Sequence, residues 1–473
     1  AGLGTKITWE SSNTAVITNK GVVVRPSADE EDAKVTLAAT ISAGSYTDTK
    51  TFDVTVKKAD GVNFTGLKTA ITEANEKLRS ARKENIYTDA SLKVWDDAIA
   101  EAQKVADTEK VEGSTTTSAD VKGATDALNV EMAKELTLKS LDELDSALAA
   151  WYPLTADAAD ATDHGNDGTA TGVTFSRENG AEFNGTAKFT SYIDIPTEVF
   201  NQKDQMTISF WTYDDRDGKQ SNVFGFSNGT TANKGWASGT SVENMKQFYI
   251  NTSDPKGYMR VNMNNRGYHD PAGFVGSADV PALALDAKTW VHITAVLNGH
   301  ELTVYRDGRL VGTKPISQSV SEIGEITLAT IGTCVYAVND DWDYNGCVKD
   351  FRVYDATLAA DQVKAVYNYM DSVPMKDAKS DIIKALKATV ADDGTVSLNV
   401  TTDTITLPKT ACEDYSEAAT VTWESSDAAV IDAATGAVSL PESADDAAKT
   451  ATLTATITKG GKTAEVEIVC SVY

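Results

Sequence analysis

The chain has 473 residues, too many for one hydrophobic core and suited to about three domains. Its 43 basic and 69 acidic side chains give a formal charge of −26. That balance argues against nucleic acid as a partner and against an anionic membrane surface, since both need a basic footprint. It suits a soluble extracellular protein that meets neutral sugar. No apolar run is long enough to insert in a bilayer. The opening Ala1-Gly2-Leu3-Gly4 is neither a signal nor a transit peptide, as in a mature or excised chain.

Residues 1–59 read as strands. Ile7-Thr8-Trp9-Glu10-Ser11-Ser12-Asn13 precedes Val16-Ile17 and Gly21-Val22-Val23-Val24, and 35–41 and 52–56 alternate with period two. The order returns near the C-terminus as Val421-Thr422-Trp423-Glu424-Ser425-Ser426-Asp427, Val430-Ile431, and strands at 451–457 and 466–472. One fold is used twice. The Trp-x-Ser-Ser-(Asn/Asp) strand and turn resembles the bacterial Ig-like domain. This implies β-sandwiches over 1–59 and 376–473, with Trp9 and Trp423 in their cores. Strand-like sequence at 395–400 and 404–407 precedes Trp423, whereas only eight residues precede Trp9. The first sandwich is therefore expected to lack its opening strands, to be the less stable end, and to belong to a fragment.

Residues 62–136 change period. Leu67, Ile71, Ala74 and Leu78 form one helical stripe, and Trp95, Ile99, Ala102 and Val105 a second. Val121, Ala124, Leu128 and Met132 form a third, with N-caps expected at Asp89 and Ser118 and a break at Gly113. Three such helices make an antiparallel bundle. The stretch Tyr87-Thr88-Asp89-Ala90-Ser91-Leu92-Lys93-Val94-Trp95 resembles the FIVAR module of Gram-positive surface proteins and secreted glycosidases. That implies a spacer or weak adhesive without catalytic residues.

Residues 138–370 hold short alternating segments at 289–296, 302–311 and 345–354, rich in β-branched and aromatic residues. Arg306-Asp307-Gly308-Arg309 predicts a hairpin. With Trp151-Tyr152-Pro153-Leu154 and the Asp/Gly-rich turn at 157–168, these pieces resemble the laminin G-like (concanavalin A-like) jellyroll of secreted bacterial glycosidases. The fold class expected is thus multidomain and mainly β: a jellyroll flanked by two Ig-like sandwiches, plus a three-helix bundle. A joint is expected at 371–390, with a short helix at 381–388. Leu407-Pro408-Lys409-Thr410-Ala411 reads as a strand end rather than a sortase signal. Cys334 with Cys347, and Cys412 with Cys470, leave open two disulfides in an oxidising compartment or four buried thiols.

Catalytic motifs are lacking. His164, His269, His292 and His300 sit in no His-Glu-x-x-His pattern, and no Gly-x-Ser-x-Gly elbow or phosphate loop occurs. His292 reads as structural. Carboxylates are abundant, but abundance alone nominates no glycoside-cleaving pair.

Asp157, Asp160, Asp163, Asn166 and Asp167 crowd one turn, and calcium takes oxygen ligands of this kind. The jellyroll resemblance implies a structural Ca2+ on Asp160 and Asp350, with Asp163 or Asp167 nearby. Thr162-Asp163-His164 departs from the family's usual Asp-x-Ser-Gly-Asn-Gly turn, and an ordinary turn with Asx hydrogen bonds is the other reading.

For a ligand, Tyr258-Met259-Arg260-Val261-Asn262-Met263-Asn264 alternates strictly. Met259, Val261 and Met263 face the core, and Arg260, Asn262 and Asn264 face away, with Tyr268 and His269 beyond. Sugars are held by aromatic faces and planar polar groups. This strand face is the expected glycan groove, rimmed by Trp236, Trp342 and Tyr344; a plain solvated face is the alternative. Trp211 and Trp290 read as packing residues.

The sequence thus reads as an elongated, monomeric, noncatalytic region, secreted or on a Gram-positive cell wall, binding plant or host glycan. Its module order resembles the accessory region of large glycosidases of arabinofuranosidase/β-xylosidase type. A surface adhesin with no attached enzyme, and an enzyme with its site in the jellyroll, are the rival readings.

Overall fold

The computed structural model describes residues 6–43, 46–59, 61–185, 189–215, 222–229, 245–251, 259–264, 271–274, 288–335, 343–443 and 446–473. The chain divides into two compact units, Ala1–Ser140 and Leu141–Tyr473.

In the first unit, β1 (Lys6–Ser11), β2 (Ala33–Ala43) and β3 (Tyr46–Val56) form an antiparallel sheet in that order. Helices α1 (Thr65–Glu84), α2 (Asp89–Asp107) and α3 (Ser118–Met132) share one core. The helical stripes are what they bury: Leu67 and Leu78, Trp95 and Ile99, Val121 and Leu128. The caps fall one residue earlier than expected. The Thr88 hydroxyl accepts from the Ser91 amide, and Thr117 forms a capping box with Asp120. A cap hydroxyl reaches the third helical amide from just outside the helix, which makes Asp89 and Ser118 the first helical residues. Trp9 departs further from expectation. It lies 5.9 Å from the Phe52 ring on a face left open, and is 43 % exposed.

The second unit begins with a two-sheet jellyroll. Its strands are β4 (Leu148–Tyr152), β5 (Thr169–Thr171), β6 (Thr174–Ser176), β7 (Gly180–Asn184), β8 (Tyr192–Asp194), β9 (Gln205–Asp214), β10 (Asn222–Ser227) and β11 (Gln247–Asn251). They continue with β12 (Arg260–Asn264), β13 (Pro271–Phe274), β14 (Trp290–Asn298), β15 (Glu301–Arg306), β16 (Arg309–Pro315), β17 (Leu328–Ile331) and β18 (Asn345–Tyr354). One sheet runs β13-β12-β11-β10-β17-β8-β5; the other runs β16-β15-β14-β9-β18-β7-β6, with β4 pairing beside β18. The β15–β16 hairpin turns at Asp307 and Gly308, whose φ values of 51° and 70° are tolerated by these residue types. Between the sheets lie Phe200, Phe210, Phe224, Phe226, Phe248 and Phe351, all fully buried. Phe200 stacks on Phe226 at 4.9 Å and Phe210 on Phe351 at 5.6 Å.

Two helices follow, α4 (Ala360–Tyr369) and α5 (Val373–Leu386). The second replaces the expected joint with a longer element. Pro374 suits a first turn, and Ala378, Ile382 and Leu386, four apart, are buried in the final sandwich. That sandwich holds β19 (Thr389–Val390), β20 (Val396–Val400), β21 (Thr410–Ala411), β22 (Ala419–Ser425), β23 (Lys449–Lys459) and β24 (Lys462–Val472). Their order is β19-β20-β24-β23-β22-β21. Trp423 packs on this core and donates from Nε1 to the Pro408 carbonyl at 2.7 Å. Burial pushes the thiols of Cys412 and Cys470 up to about 11.

Jellyroll and final sandwich are joined by ion pairs. Arg177 forks onto both Asp381 oxygens at 3.0 Å and donates from Nε to Asp414 at 2.7 Å. Glu178 accepts from the Ser416 amide and hydroxyl at 2.7 and 2.6 Å.

The repeated tryptophans give a direct comparison. Trp423→Ala is expected to destabilise the final sandwich by about 3 kcal/mol, whereas Trp9→Ala costs its sheet under about 1 kcal/mol. Denaturant unfolding of the two variants measures the difference; equal losses contradict it.

Candidate functional site

The outward face of β10, β11, β12 and β17 is a grid set by strand register. Asn222 stands opposite Asn251, and Asn251 opposite Arg260. The next row is Thr330, Gly225, Tyr249 and Asn262, and the row after it Leu328, Ser227, Gln247 and Asn264. Alternation sends Phe224, Phe226, Phe248, Ile250, Val261 and Met263 to the core and Asn222, Ser227, Gln247, Tyr249, Asn251 and Asn262 to the other side. Toward β17 the face carries a small apolar cluster of Met245, Tyr249, Cys334 and Val335. Toward β12 it is a field of carboxamides.

Those carboxamides are shielded yet largely unpaired. Asn222, Gln247, Asn251 and Asn262 are each at most 1 % exposed. Both polar atoms of Asn222 and Asn251, Oε1 of Gln247 and Oδ1 of Asn262 meet no hydrogen-bond partner. Asn262 makes one bond, donating from Nδ2 to the Tyr249 hydroxyl at 3.1 Å. Each buried polar atom without a partner costs about 1–3 kcal/mol, so this face carries a cost that packing alone does not explain.

Of the residues expected to bind, Arg260 and Asn262 lie on this face, and Asn264 holds the matching register position on β12. Tyr268, His269, Trp236 and Trp342 lie outside the described residues. Tyr344 is elsewhere. It is fully buried between the sheets, 5.9 Å from the Phe183 ring, and its hydroxyl donates to the Tyr213 carbonyl at 2.7 Å. It therefore serves the core rather than a rim. Asn222, Gln247 and Asn251 were missed because they come from separate segments, and only cross-strand register gathers them.

The outer face of the other sheet is partly covered by α4. Tyr367 of α4 stacks on Trp211 at 5.3 Å. Arg352, 2 % exposed, lies 4.6 Å from the Trp151 ring and 4.2 Å from the Tyr369 ring, and donates from Nε to Asp350 at 2.9 Å. Burial works against this charge, and Asp350 and Tyr354 together outweigh it, so the guanidinium stays protonated. His292 is fully buried here, 2.9 Å from the Ser209 hydroxyl. A Ser–His pair sealed beneath Trp211 and Tyr367 packs rather than attacks a substrate.

The carboxylates expected to hold calcium have other tasks. Asp160 accepts from the amides of Trp151 and Thr162 at 3.0 Å, from the Thr162 hydroxyl at 2.8 Å and from the Asn166 amide at 3.1 Å. Asp167 accepts from the Asp160 amide at 2.9 Å, and Asp350 from Trp151 Nε1 at 2.8 Å. Asp163 is exposed. Among the described residues no group of three or more His, Cys, Asp or Glu is placed to hold a metal ion.

Residues 2–59 and 380–473 match the family described as the atrophied bacterial Ig domain. Residues 184–364 match the concanavalin A-like lectin/glucanases superfamily. A concanavalin A-like region thus stands between two atrophied bacterial Ig regions. No curated protein matches the chain. Among solved structures, domain 4 of AbnA, a GH43 extracellular arabinanase from Geobacillus stearothermophilus in complex with arabinotriose, shares 18 % identity at a TM-score of 0.34. It aligns over 46 % of this chain and 98 % of its own. Trypanosoma rangeli sialidase in complex with sialic acid shares 11 % identity at a TM-score of 0.36, over 75 % of this chain. The match spans only 45 % of that sialidase.

His292 makes a pH prediction. Burial, and then the Arg352 charge, push its pKa down to about 3. The unfolded chain binds this proton near pH 6.5, so the contribution is complete above that pH and declines as pH falls toward 3. The loss is roughly 1.4 kcal/mol per pH unit. Urea unfolding at pH 6.5 and 4.5 should show a steeper decline for wild type than for His292→Gln; parallel declines contradict it.

Proposed function

We propose that this chain is a noncatalytic region that holds glycan on the carboxamide face of the seven-stranded sheet. Its setting is a secreted or cell-surface bacterial protein, read as a monomer attached to a glycoside hydrolase, of arabinofuranosidase/β-xylosidase type. The observation that carries the reading is the set of shielded amides of Asn222, Gln247, Asn251 and Asn262, each with at least one polar atom that lacks a hydrogen-bond partner. Planar amides donate and accept side by side, as vicinal sugar hydroxyls do. The match to a lectin/glucanase superfamily points to the same ligand class. The FIVAR-like helices and the Ig-like sandwiches act as spacers. Holding the chain on polysaccharide raises local substrate concentration for an attached enzyme through tethering. Of the carboxylates expected to hold a structural Ca2+, Asp160 is engaged by its own turn, while Asp350 Oδ2 is buried with no hydrogen-bond partner, so the ion is put to a direct test below.

A glycan array probed with the full chain tests this. Binding to neutral plant or host oligosaccharides is expected, and about a tenfold loss in Asn251→Leu and in Asn262→Ala. Because both polar atoms of Asn251 lack partners, Asn251→Leu should leave the melting temperature unchanged or raise it. Undiminished binding by both variants would place the ligand elsewhere, and turnover of the arrayed glycans would overturn the noncatalytic reading. A second arm compares added calcium with EDTA. Equal melting temperatures are expected, and a clear rise with calcium contradicts the assignment of Asp160 to the turn.

A further inference from the structure

On the outer face of the eight-stranded sheet, Trp211 of β9 stands opposite Lys349 of β18 and His292 of β14. Two residues along β9, Tyr213 stands opposite Trp290 of β14. Tyr367 of α4 covers Trp211 from one side. The chain then leaves α4 at Tyr369 and turns into α5, which packs in the final sandwich. Beyond the end of α4 lies a cavity of about 330 Å3, lined by Trp211, Trp290 and Lys349 of the sheet, Met370 and Pro374 of the turn, and Tyr415 and Lys459 of the sandwich. That volume falls at the small end of the roughly 300–1,000 Å3 typical of small-molecule sites.

The walls combine rings and cations. Lys349 Nζ lies 3.9 Å from the Trp290 ring and donates to the Glu178 carbonyl at 3.0 Å. Lys459 Nζ lies 4.6 Å from the Tyr415 ring and donates to the Glu417 carbonyl. The Tyr415 hydroxyl donates to Asp377 at 2.6 Å, which fixes that ring. Among the described residues neither ammonium forms an ion pair with a carboxylate. The other charges around the cavity are matched: Arg177 to Asp381 and Asp414, Asp371 to Lys462, and Glu178 to the amide and hydroxyl of Ser416. Two unmatched ammoniums are a local exception in a chain of charge −26, whose field repels anions elsewhere. Burial pushes the Lys349 pKa down, the direction expected of an ammonium held without a counter-anion.

We propose that this cavity binds an acidic sugar residue, a pyranose ring bearing a carboxylate, at a second site separate from the carboxamide face. The Lys349 and Lys459 ammoniums take the carboxylate, and the C–H face of the ring rests on the aromatic walls. An ammonium has three N–H donors, and each of these two commits only one to a backbone carbonyl. A bare inorganic anion uses the ammoniums without the rings, and a neutral sugar the rings without the ammoniums. Lys349 and Trp290 belong to the jellyroll, and Lys459 and Tyr415 to the final sandwich. The bound sugar therefore bridges the two and adds to the joint made by Arg177 and Glu178.

Isothermal titration calorimetry of the full chain tests this with oligogalacturonate and with glucuronate-substituted xylo-oligosaccharide. Each is compared with the same oligosaccharide after reduction of its carboxyl to the alcohol. The titrations are run in wild type and in Asn251→Leu, where neutral-sugar binding at the carboxamide face drops out. Saturable binding of an acidic probe is expected in both chains. In Asn251→Leu it should be about tenfold weaker after carboxyl reduction, and in wild type about tenfold weaker on adding Lys349→Met or Lys459→Gln. Lys459 ends β23 at a hairpin turn, so Lys459→Gln should keep the wild-type circular dichroism and answers the question even where Lys349→Met unfolds. Failure of both acidic probes to bind, equal affinity for the reduced probes in Asn251→Leu, or undiminished binding by Lys459→Gln overturns the proposal. So does equal affinity for a polyglutamate peptide, which has the charge without the ring. Loss of acidic-probe binding in Asn251→Leu also overturns it, by giving this sugar to the carboxamide face.

Discussion

A β-sheet has two faces, and each must be buried or made polar; this constraint orders the molecule. The eight-stranded sheet meets it with α4 and with a buried cation. Arg352 lies between the rings of Trp151 and Tyr369 and pairs with Asp350, which also takes the Trp151 indole proton. A buried charge is tolerated only when paired, and removing either partner leaves the other stranded. Strand β4, strand β18 and the end of α4 are thereby held to one another.

The seven-stranded sheet meets the same constraint differently. Its inner face is phenylalanine and methionine, and its outer face carries Asn222, Gln247, Asn251 and Asn262. A sheet built only for stability would place apolar or fully paired residues at shielded positions. Shielded amides with unpartnered atoms are a cost to stability, and this cost is the ground for the glycan-holding reading proposed above. The one Ser–His pair described on the opposite sheet is enclosed and kept neutral by burial.

Much of this was legible in the sequence, and the misses share a cause. The Trp-x-Ser-Ser repeat, the three helical stripes and the Asp307-Gly308 hairpin are local patterns, each set by a period or a turn type. Arg260 and Asn262 were legible because they alternate with Val261 and Met263 within one strand. Asn222 and Asn251 were not, because register across β10, β11 and β12 joins residues from separate segments. Tyr344 looked like a rim aromatic beside Trp342, but its ring turns inward and its hydroxyl finds Tyr213. Trp9 carried the pattern of a core residue, and alternation cannot tell whether a second layer covers that core. The Asp-rich turn fitted both calcium and Asx bonding by composition; bond by bond, Asp160 serves the backbone.

The most direct measurement of the central claim is NMR of the full chain with Asn and Gln side-chain amides selectively labelled, titrated with the oligosaccharide it retains. The account predicts that the NH2 resonances of Asn222, Gln247, Asn251 and Asn262 shift together and saturate at one ligand concentration. Unmoved resonances for these four, with shifts confined to amides of the sandwiches or the helices, would contradict it.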